Sequence, residues 1–84
     1  MSMNITIYTA ANCQASAITL RKLVARNIPY RLIRLEKEPA IAQHLKSRGL
    51  AKTPVVEVSG SQQEAWDGYQ PQKIEALAIS LAHQ

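Results

Sequence analysis

The feature that most constrains the fold is a switch of hydrophobic period near residue 13. Polar and apolar residues alternate through residues 4–8, with β-branched and aromatic types, and this pattern predicts a strand. From residue 13 the apolar residues recur at helical spacing, and Asn12 in the intervening turn is expected to cap the helix. Seven residues share one face of this helix: Cys13, Ser16, Ala17, Leu20, Leu23, Val24 and Asn27.

A second alternating segment, residues 30–35, follows after Asn27 and Pro29 end the helix. Tyr30, Leu32 and Arg34 fall on one side of this strand. A strand, a crossover helix and a second strand at this spacing form a right-handed parallel unit.

The remaining chain predicts one more helix, a hairpin and a last helix. The second helix begins at residue 38 with Pro39 in its first turn, buries Ile41, Ala42 and Leu45, and ends at Gly49.

A proline-opened strand over residues 53–58 returns through residues 59–63 to a strand at 64–67, and Gly68 ends it before a helix from Pro71. The expected fold is therefore α/β, β-α-β-α-β-β-α, with a four-stranded mixed sheet flanked by three helices.

The 84 residues are expected to form a single domain, residues 1–84. The sequence contains neither an apolar run of about 18 residues nor a basic-then-apolar N-terminal segment, so we expect a cytoplasmic protein without a membrane partner. Nine of the ten lysines and arginines lie between Arg21 and Lys52, where only Glu36 and Glu38 oppose them. Such a run favours acidic partners, and a solvated helix face with exposed strand edges is the alternative interpretation. Without interleaved aromatic residues, the run predicts no nucleic-acid partner.

Cys13 is the only cysteine, so an internal disulfide and a cysteine-based zinc cluster are both excluded. Its position between a strand and a helix N-terminus favours a thiolate, because free helix N–H groups stabilise the negative charge. A small, inert core cysteine is the alternative from spacing alone. His44 and His83 lie far from this junction in the pattern, and we expect no metal site and no cofactor.

Ser16 stands one helical turn after Cys13, where a C-x-x-C motif places its resolving thiol. A serine cannot attack a mixed disulfide, although its hydroxyl can donate a hydrogen bond to the Cys13 thiolate. A small polar residue in the first helical turn is the alternative interpretation.

Three segments stand out: I-T-I-Y-T before Cys13, T-P-V-V at the third strand, and a W-x-G-[FY]-x-P segment that begins at Trp66. Together they resemble the NrdH redoxins, glutaredoxin-like proteins that reduce class Ib ribonucleotide reductase. The resemblance runs from residue 5 to about residue 77. It implies a thioredoxin fold, a cis bond between Thr53 and Pro54 facing Cys13, and electrons taken from thioredoxin reductase.

The resemblance also implies the site residues. Cys13 would be the catalytic nucleophile and Ser16 would occupy the resolving position. Thr53 would offer backbone hydrogen bonds to the incoming chain, and Pro54 would shape the groove. The expected substrate-binding residues are Asn12, Gln14, Thr53, Pro54, Trp66 and Gly68. The expected protein partners are ribonucleotide reductase, or another disulfide-containing protein, and thioredoxin reductase, with the chain acting as a monomer.

Ser16 in place of the family's second cysteine is the main departure, and it leaves three explanations. Ser16 is a substitution that traps a mixed disulfide, or the chain is a native monothiol variant, or the redox role is lost and the surface is kept for binding. The residues leave open whether the chain turns over as an enzyme or acts as an electron carrier. The chain also lacks the Gly-Gly and following Asp of glutathione-binding glutaredoxins, and Ala10 replaces their basic residue.

Two other functions compete with the oxidoreductase. One is a monothiol carrier that ligates an iron–sulfur cluster with glutathione between two protomers. The other is a non-catalytic module that docks a partner through an exposed Ile18, an exposed Trp66 and the basic central face.

Overall fold

The computed structural model describes residues 3–83. Its elements follow the predicted order, with a short 3-10 turn at Leu35–Lys37 before the second helix. In chain order they are β1 (Met3–Thr9), α1 (Gln14–Ala25), β2 (Arg31–Arg34), α2 (Pro39–Ser47), β3 (Val55–Gly60), β4 (Glu64–Asp67) and α3 (Pro71–Ala82). The second strand is thus one residue shorter at each end than predicted, because Leu35 turns into the 3-10 segment and Tyr30 precedes the pairing with β1.

The four strands form one mixed sheet in the order β2-β1-β3-β4. β1 and β2 are parallel, β3 is antiparallel to β1, and β4 is antiparallel to β3. Ile7 pairs with Val56 and Tyr8 pairs with Val55, so β3 starts where β1 ends. The predicted four-stranded mixed sheet with three helices is confirmed, and with it the thioredoxin fold that the resemblance implied.

The main core lies on the sheet face that α1 and α3 cover. Alternate residues of the strands point to this face, and fully buried helix residues pack on them. The buried members of this core are Ile5, Ile7, Leu23, Ile28, Val56, Val58, Trp66, Ile74 and Leu77. Lys22 of α1 and Arg26, just after it, also form ion pairs with Glu75 of α3, at 3.4 and 2.9 Å, on the surface between the two helices.

The opposite sheet face carries Tyr8, Val55 and Glu57, and the end of α2 lies against it. The Tyr8 hydroxyl donates to one Glu57 carboxylate oxygen at 2.9 Å, and Arg48, just after α2, pairs with the other oxygen at 3.1 Å. Burial and the Glu57 carboxylate both raise the pKa of Tyr8. The sequence pattern does not reveal this cluster, because its members come from three separate elements.

The buried side of α1 differs from the predicted face. Ser16, Thr19 and Leu23 are buried, whereas Ala17 is exposed and Val24 is 63% exposed, so the predicted face is buried only in part. The reason is that Thr19 takes the central position, because its hydroxyl donates to the Ala15 carbonyl at 2.8 Å and needs no outside partner. The contact face is thereby turned away from Val24.

The two predicted helix ends are confirmed. Asn27 and Gly49 both have positive φ, 57° and 80°, just past α1 and α2. In each case the next N–H returns to a carbonyl in the last turn, from Ile28 to Leu23 and from Leu50 to Leu45, both at 2.9 Å. Within residues 3–83, no helix has the length and apolar character needed to cross a bilayer.

The core predicts that two isoleucines of α3 contribute unequally to the free energy of unfolding. Ile74 is fully buried, and its replacement by alanine leaves a cavity, so Ile74→Ala is expected to lower the free energy of unfolding by about 3 kcal/mol. The control is Ile79→Ala on the same helix, where the side chain is 58% exposed and the loss is expected to stay below about 1 kcal/mol. Urea unfolding measures both, and equal losses would contradict the placement of α3.

Candidate active site at Cys13

Cys13 itself caps α1. Its backbone is extended, with φ −104° and ψ 108°, and its Sγ accepts a hydrogen bond from the Ser16 N–H at 3.3 Å. Asn12 precedes it in the left-handed region, with φ 57°, a conformation that asparagine tolerates and that an N-cap residue does not adopt. The prediction that Asn12 caps the helix is therefore wrong. The sulfur occupies the position where a capping oxygen normally accepts.

A second segment reaches the same sulfur from 40 residues away. The Thr53–Pro54 bond is cis, as the resemblance implied. The Thr53 hydroxyl donates to Cys13 Sγ at 3.0 Å, and the Cys13 thiol faces the Thr53 carbonyl oxygen at 3.5 Å. The hydroxyl contact is a feature that the sequence pattern does not reveal.

The end of β4 and the residues that follow it hold the loop that carries Thr53. The Asp67 carboxylate accepts from the Lys52 N–H at 3.0 Å, and the Gly68 N–H donates to the Pro54 carbonyl at 2.8 Å. The Gln70 side-chain amide in turn donates to the Asp67 carbonyl at 2.8 Å. Gly68 has φ 75°, which favours glycine. Much of the Trp-x-Gly-x-x-Pro segment thus supports the loop opposite the thiol.

Trp66 lies in the core and not on the surface. It pairs with Val56 across the β3–β4 ladder and is only 4% exposed. The prediction that an exposed Trp66 docks a partner is wrong, because the alternation of β4 turns this ring to the face that the helices cover. The Lys73 ammonium lies over the ring, 5.6 Å from its centroid. Ile18, by contrast, is exposed as predicted.

The pKa of Cys13 reflects opposing effects. Burial raises it, while the Ser16 and Thr53 hydroxyls and the backbone N–H groups of Ser16 and Ala15 lower it, so that the net shift is downward from 9.0. Ser16 is only 4% exposed, and its Oγ has no hydrogen-bond partner within the described part of the chain. The hydroxyl is therefore available to donate when the thiolate forms.

An open groove of about 600 Å³ adjoins Cys13 on the side of β2. Asn12 and Gln14 are exposed at its rim, and Leu20 of α1 and Leu32 and Arg34 of β2 also line it. The sequence places Leu32 and Arg34 on one face of β2, but the role of that face was not predicted.

Neither histidine contributes to this site. His44 is exposed on α2, His83 is exposed just after α3, and neither lines the groove. Among residues 3–83, no group of three His, Cys, Asp or Glu side chains is placed to hold a metal ion.

A cysteine at the N-terminus of the first helix, facing a cis-proline loop on this sheet, defines a thiol-redox protein of the thioredoxin fold. The glutaredoxin family model matches residues 5–62, and the chain belongs to the glutaredoxin family.

Proteins similar to this chain support the assignment to the glutaredoxin family. The glutaredoxin-like protein NrdH of Escherichia coli is 32% identical over 75 residues, which is 89% of each chain. The solved structure of the Escherichia coli NrdH-redoxin superposes with a TM-score of 0.79 at 31% identity, covering 88% of this chain and 93% of that one. A glutaredoxin from Archaeoglobus fulgidus, 22% identical, shares the fold with a TM-score of 0.70 over 88% of this chain and 84% of its own.

The Thr53 hydroxyl provides a direct test of the sulfur's surroundings. Thr53→Val removes a donor to Sγ at nearly constant shape, so the pKa of Cys13 is expected to rise, while Thr53→Ser keeps the hydroxyl and is expected to leave the pKa near the parent value. Thiolate absorbance at 240 nm against pH measures the change. An unchanged pKa of Cys13 in Thr53→Val would show that the Thr53 hydroxyl does not stabilise the thiolate.

The lowered pKa also predicts a pH dependence of stability. Between the folded-state pKa of Cys13 and 9.0, the unfolded chain binds more protons at this thiol, so the thiol's contribution to stability rises with pH and is lost as pH falls through the folded-state pKa. The stability difference between the parent and Cys13→Ala is expected to grow across this window and to level off above it. Urea unfolding at several pH values measures the difference.

Ala25→Ser, at the exposed end of α1, is the control and is expected to give a difference that does not change with pH. A flat profile for Cys13→Ala would show that folding does not stabilise the thiolate.

Proposed function

We propose that this protein is a monothiol redoxin that performs thiol–disulfide exchange with disulfides of protein partners. One observation supports this most: Cys13 Sγ accepts from both the Ser16 N–H and the Thr53 hydroxyl beside a cis-proline loop. These donors favour the thiolate, which is the form of cysteine that attacks a disulfide.

The first step opens the partner's disulfide. The Cys13 thiolate attacks one sulfur, a new disulfide forms between Cys13 and that sulfur, and the other sulfur leaves as a thiolate. We assign the scissile end of the incoming chain to the side of Thr53, whose backbone would hydrogen bond to it, while the buried Pro54 would shape the surface on that side of Cys13. Asn12 and Gln14 at the groove rim would contact the same chain.

The second step is where Ser16 matters. Ser16 lies in the first turn of α1 with its backbone N–H on the Cys13 sulfur, so a thiol at this position would be placed to attack the mixed disulfide. A serine hydroxyl does not perform this exchange. Release of the partner therefore requires a thiol from another molecule.

The relatives suggest who the partners are. Because the chain is similar to the NrdH redoxins, we propose ribonucleotide reductase, or another protein with an accessible disulfide, as the electron acceptor, and thioredoxin reductase as the reductant. The same proposal places the chain in the cytoplasm as a monomer, where a lone cysteine stays reduced.

Restoring the second thiol tests this function. Ser16→Cys is expected to reduce insulin disulfides repeatedly with thioredoxin reductase and NADPH, because the new thiol can resolve the mixed disulfide. The parent chain is expected to stop after one equivalent. NADPH consumption at 340 nm and mass spectrometry of the trapped adduct are the measurements.

Two variants serve as controls. Ser16→Ala is expected to behave as the parent in turnover, and Cys13→Ala is expected to form no adduct. Equal turnover by the parent and Ser16→Cys would contradict the resolving role of position 16. Turnover by the parent with glutathione alone would favour a glutathione-dependent monothiol protein.

A further inference from the structure

The groove beside Cys13 has an apolar floor that the fold leaves open. Leu32 of β2 pairs with Ile7 of β1, so its side chain lies on the face that α1 covers, yet Leu32 remains 41% exposed. Leu20 of α1 is half-buried on the other side of the same groove. An exposed apolar strip that adjoins a reactive thiol is suited to contact a side chain of whatever is joined to that thiol.

The charges around this groove are also unbalanced. Within residues 3–83, four cations have a carboxylate within 3.4 Å and six form no ion pair: Arg21, Arg31, Arg34, Lys37, Lys46 and Lys52. Arg34 is the one of these six that lines the groove, and no carboxylate among residues 3–83 lines the groove with it.

The acidic residues that follow in sequence do not correct this balance. Glu36 and Glu38 are exposed, and neither lines the groove. Position 34 therefore presents a solvated guanidinium, with five N–H donors, beside the apolar strip.

From these two observations we propose that the Leu20–Leu32–Arg34 groove docks an acidic polypeptide segment next to the partner's disulfide. The segment places an apolar side chain between Leu20 and Leu32, and a carboxylate pairs with Arg34. This proposal rests on the proposed thiol–disulfide exchange and names the class of substrate that the exchange prefers. It assigns recognition to the β2 side of Cys13, away from the Thr53–Pro54 loop.

β2 offers a matched pair of variants for a test. Arg31 and Arg34 are both exposed, lie on the same short strand and lack ion pairs within residues 3–83, but Arg31 lines a different groove. Replacing either arginine by glutamine removes the same charge, so only a local effect can separate the two. Leu32→Ser tests the apolar strip independently.

The probes are two short peptides whose single cysteine is activated as a 2-thiopyridyl disulfide. One carries glutamates and a leucine next to the cysteine, and the other carries serines instead. Attack by the Cys13 thiolate forms the mixed disulfide with the peptide sulfur and releases pyridine-2-thione, whose absorbance reports the rate. The small neutral reagent 2,2′-dithiodipyridine measures the reactivity of the thiolate without docking.

The parent is expected to react about three-fold or more faster with the acidic peptide than with the serine peptide, and the preference is expected to shrink at high salt. Arg34→Gln and Leu32→Ser are each expected to reduce the preference, while Arg31→Gln keeps it. All three variants are expected to react with dithiodipyridine at the parent rate.

The outcomes separate docking from chemistry. Equal rates for the two peptides, or equal losses in Arg34→Gln and Arg31→Gln, would overturn the docking site and leave the exchange reaction intact. Failure of the parent to react with dithiodipyridine would instead overturn the proposed function itself.

Discussion

The site depends on one set of contacts, the hydrogen bonds that converge on Cys13 Sγ. The Ser16 N–H at the start of α1 and the Thr53 hydroxyl of the cis-proline loop both donate to this sulfur. Together with the nearby Ser16 hydroxyl and Ala15 N–H, they outweigh the burial that opposes a charge and lower the pKa of Cys13. Each donor comes from backbone or side chain that the fold holds in place, so the sulfur needs no cation beside it.

The sheet explains why two segments 40 residues apart meet at this atom. β1 and β3 are antiparallel neighbours, and Tyr8 near the end of β1 pairs with Val55 at the start of β3. The turn that leads to Cys13 and the loop that carries Thr53 therefore leave the sheet at the same edge. Asp67 and Gly68, at the end of β4, complete the arrangement because their hydrogen bonds fix that loop.

Ser16 gives this family member its particular chemistry. Its position in the first turn of α1 is buried and adjoins the sulfur, so in the proposed exchange the residue there would decide whether a mixed disulfide is resolved within the chain. With serine, the hydroxyl can donate a hydrogen bond to the Cys13 thiolate, but it cannot attack a mixed disulfide at Cys13. The fold thus retains the parts that start an exchange and lacks the thiol that would complete it.

The sequence by itself determined the order of the elements, because the signals for them are local. The hydrophobic period marks each helix or strand, and helix ends are set by nearby residues such as Asn27, Gly49 and the prolines that open α2 and α3. It also placed Cys13 at a helix N-terminus. Tertiary structure decided that Cys13 rather than Asn12 caps α1, that Trp66 is buried, that the Thr53 hydroxyl reaches the sulfur, and that Leu32 and Arg34 line the same groove as Cys13. These features depend on strand register and on how α1 turns against the sheet, and contacts between distant residues set both.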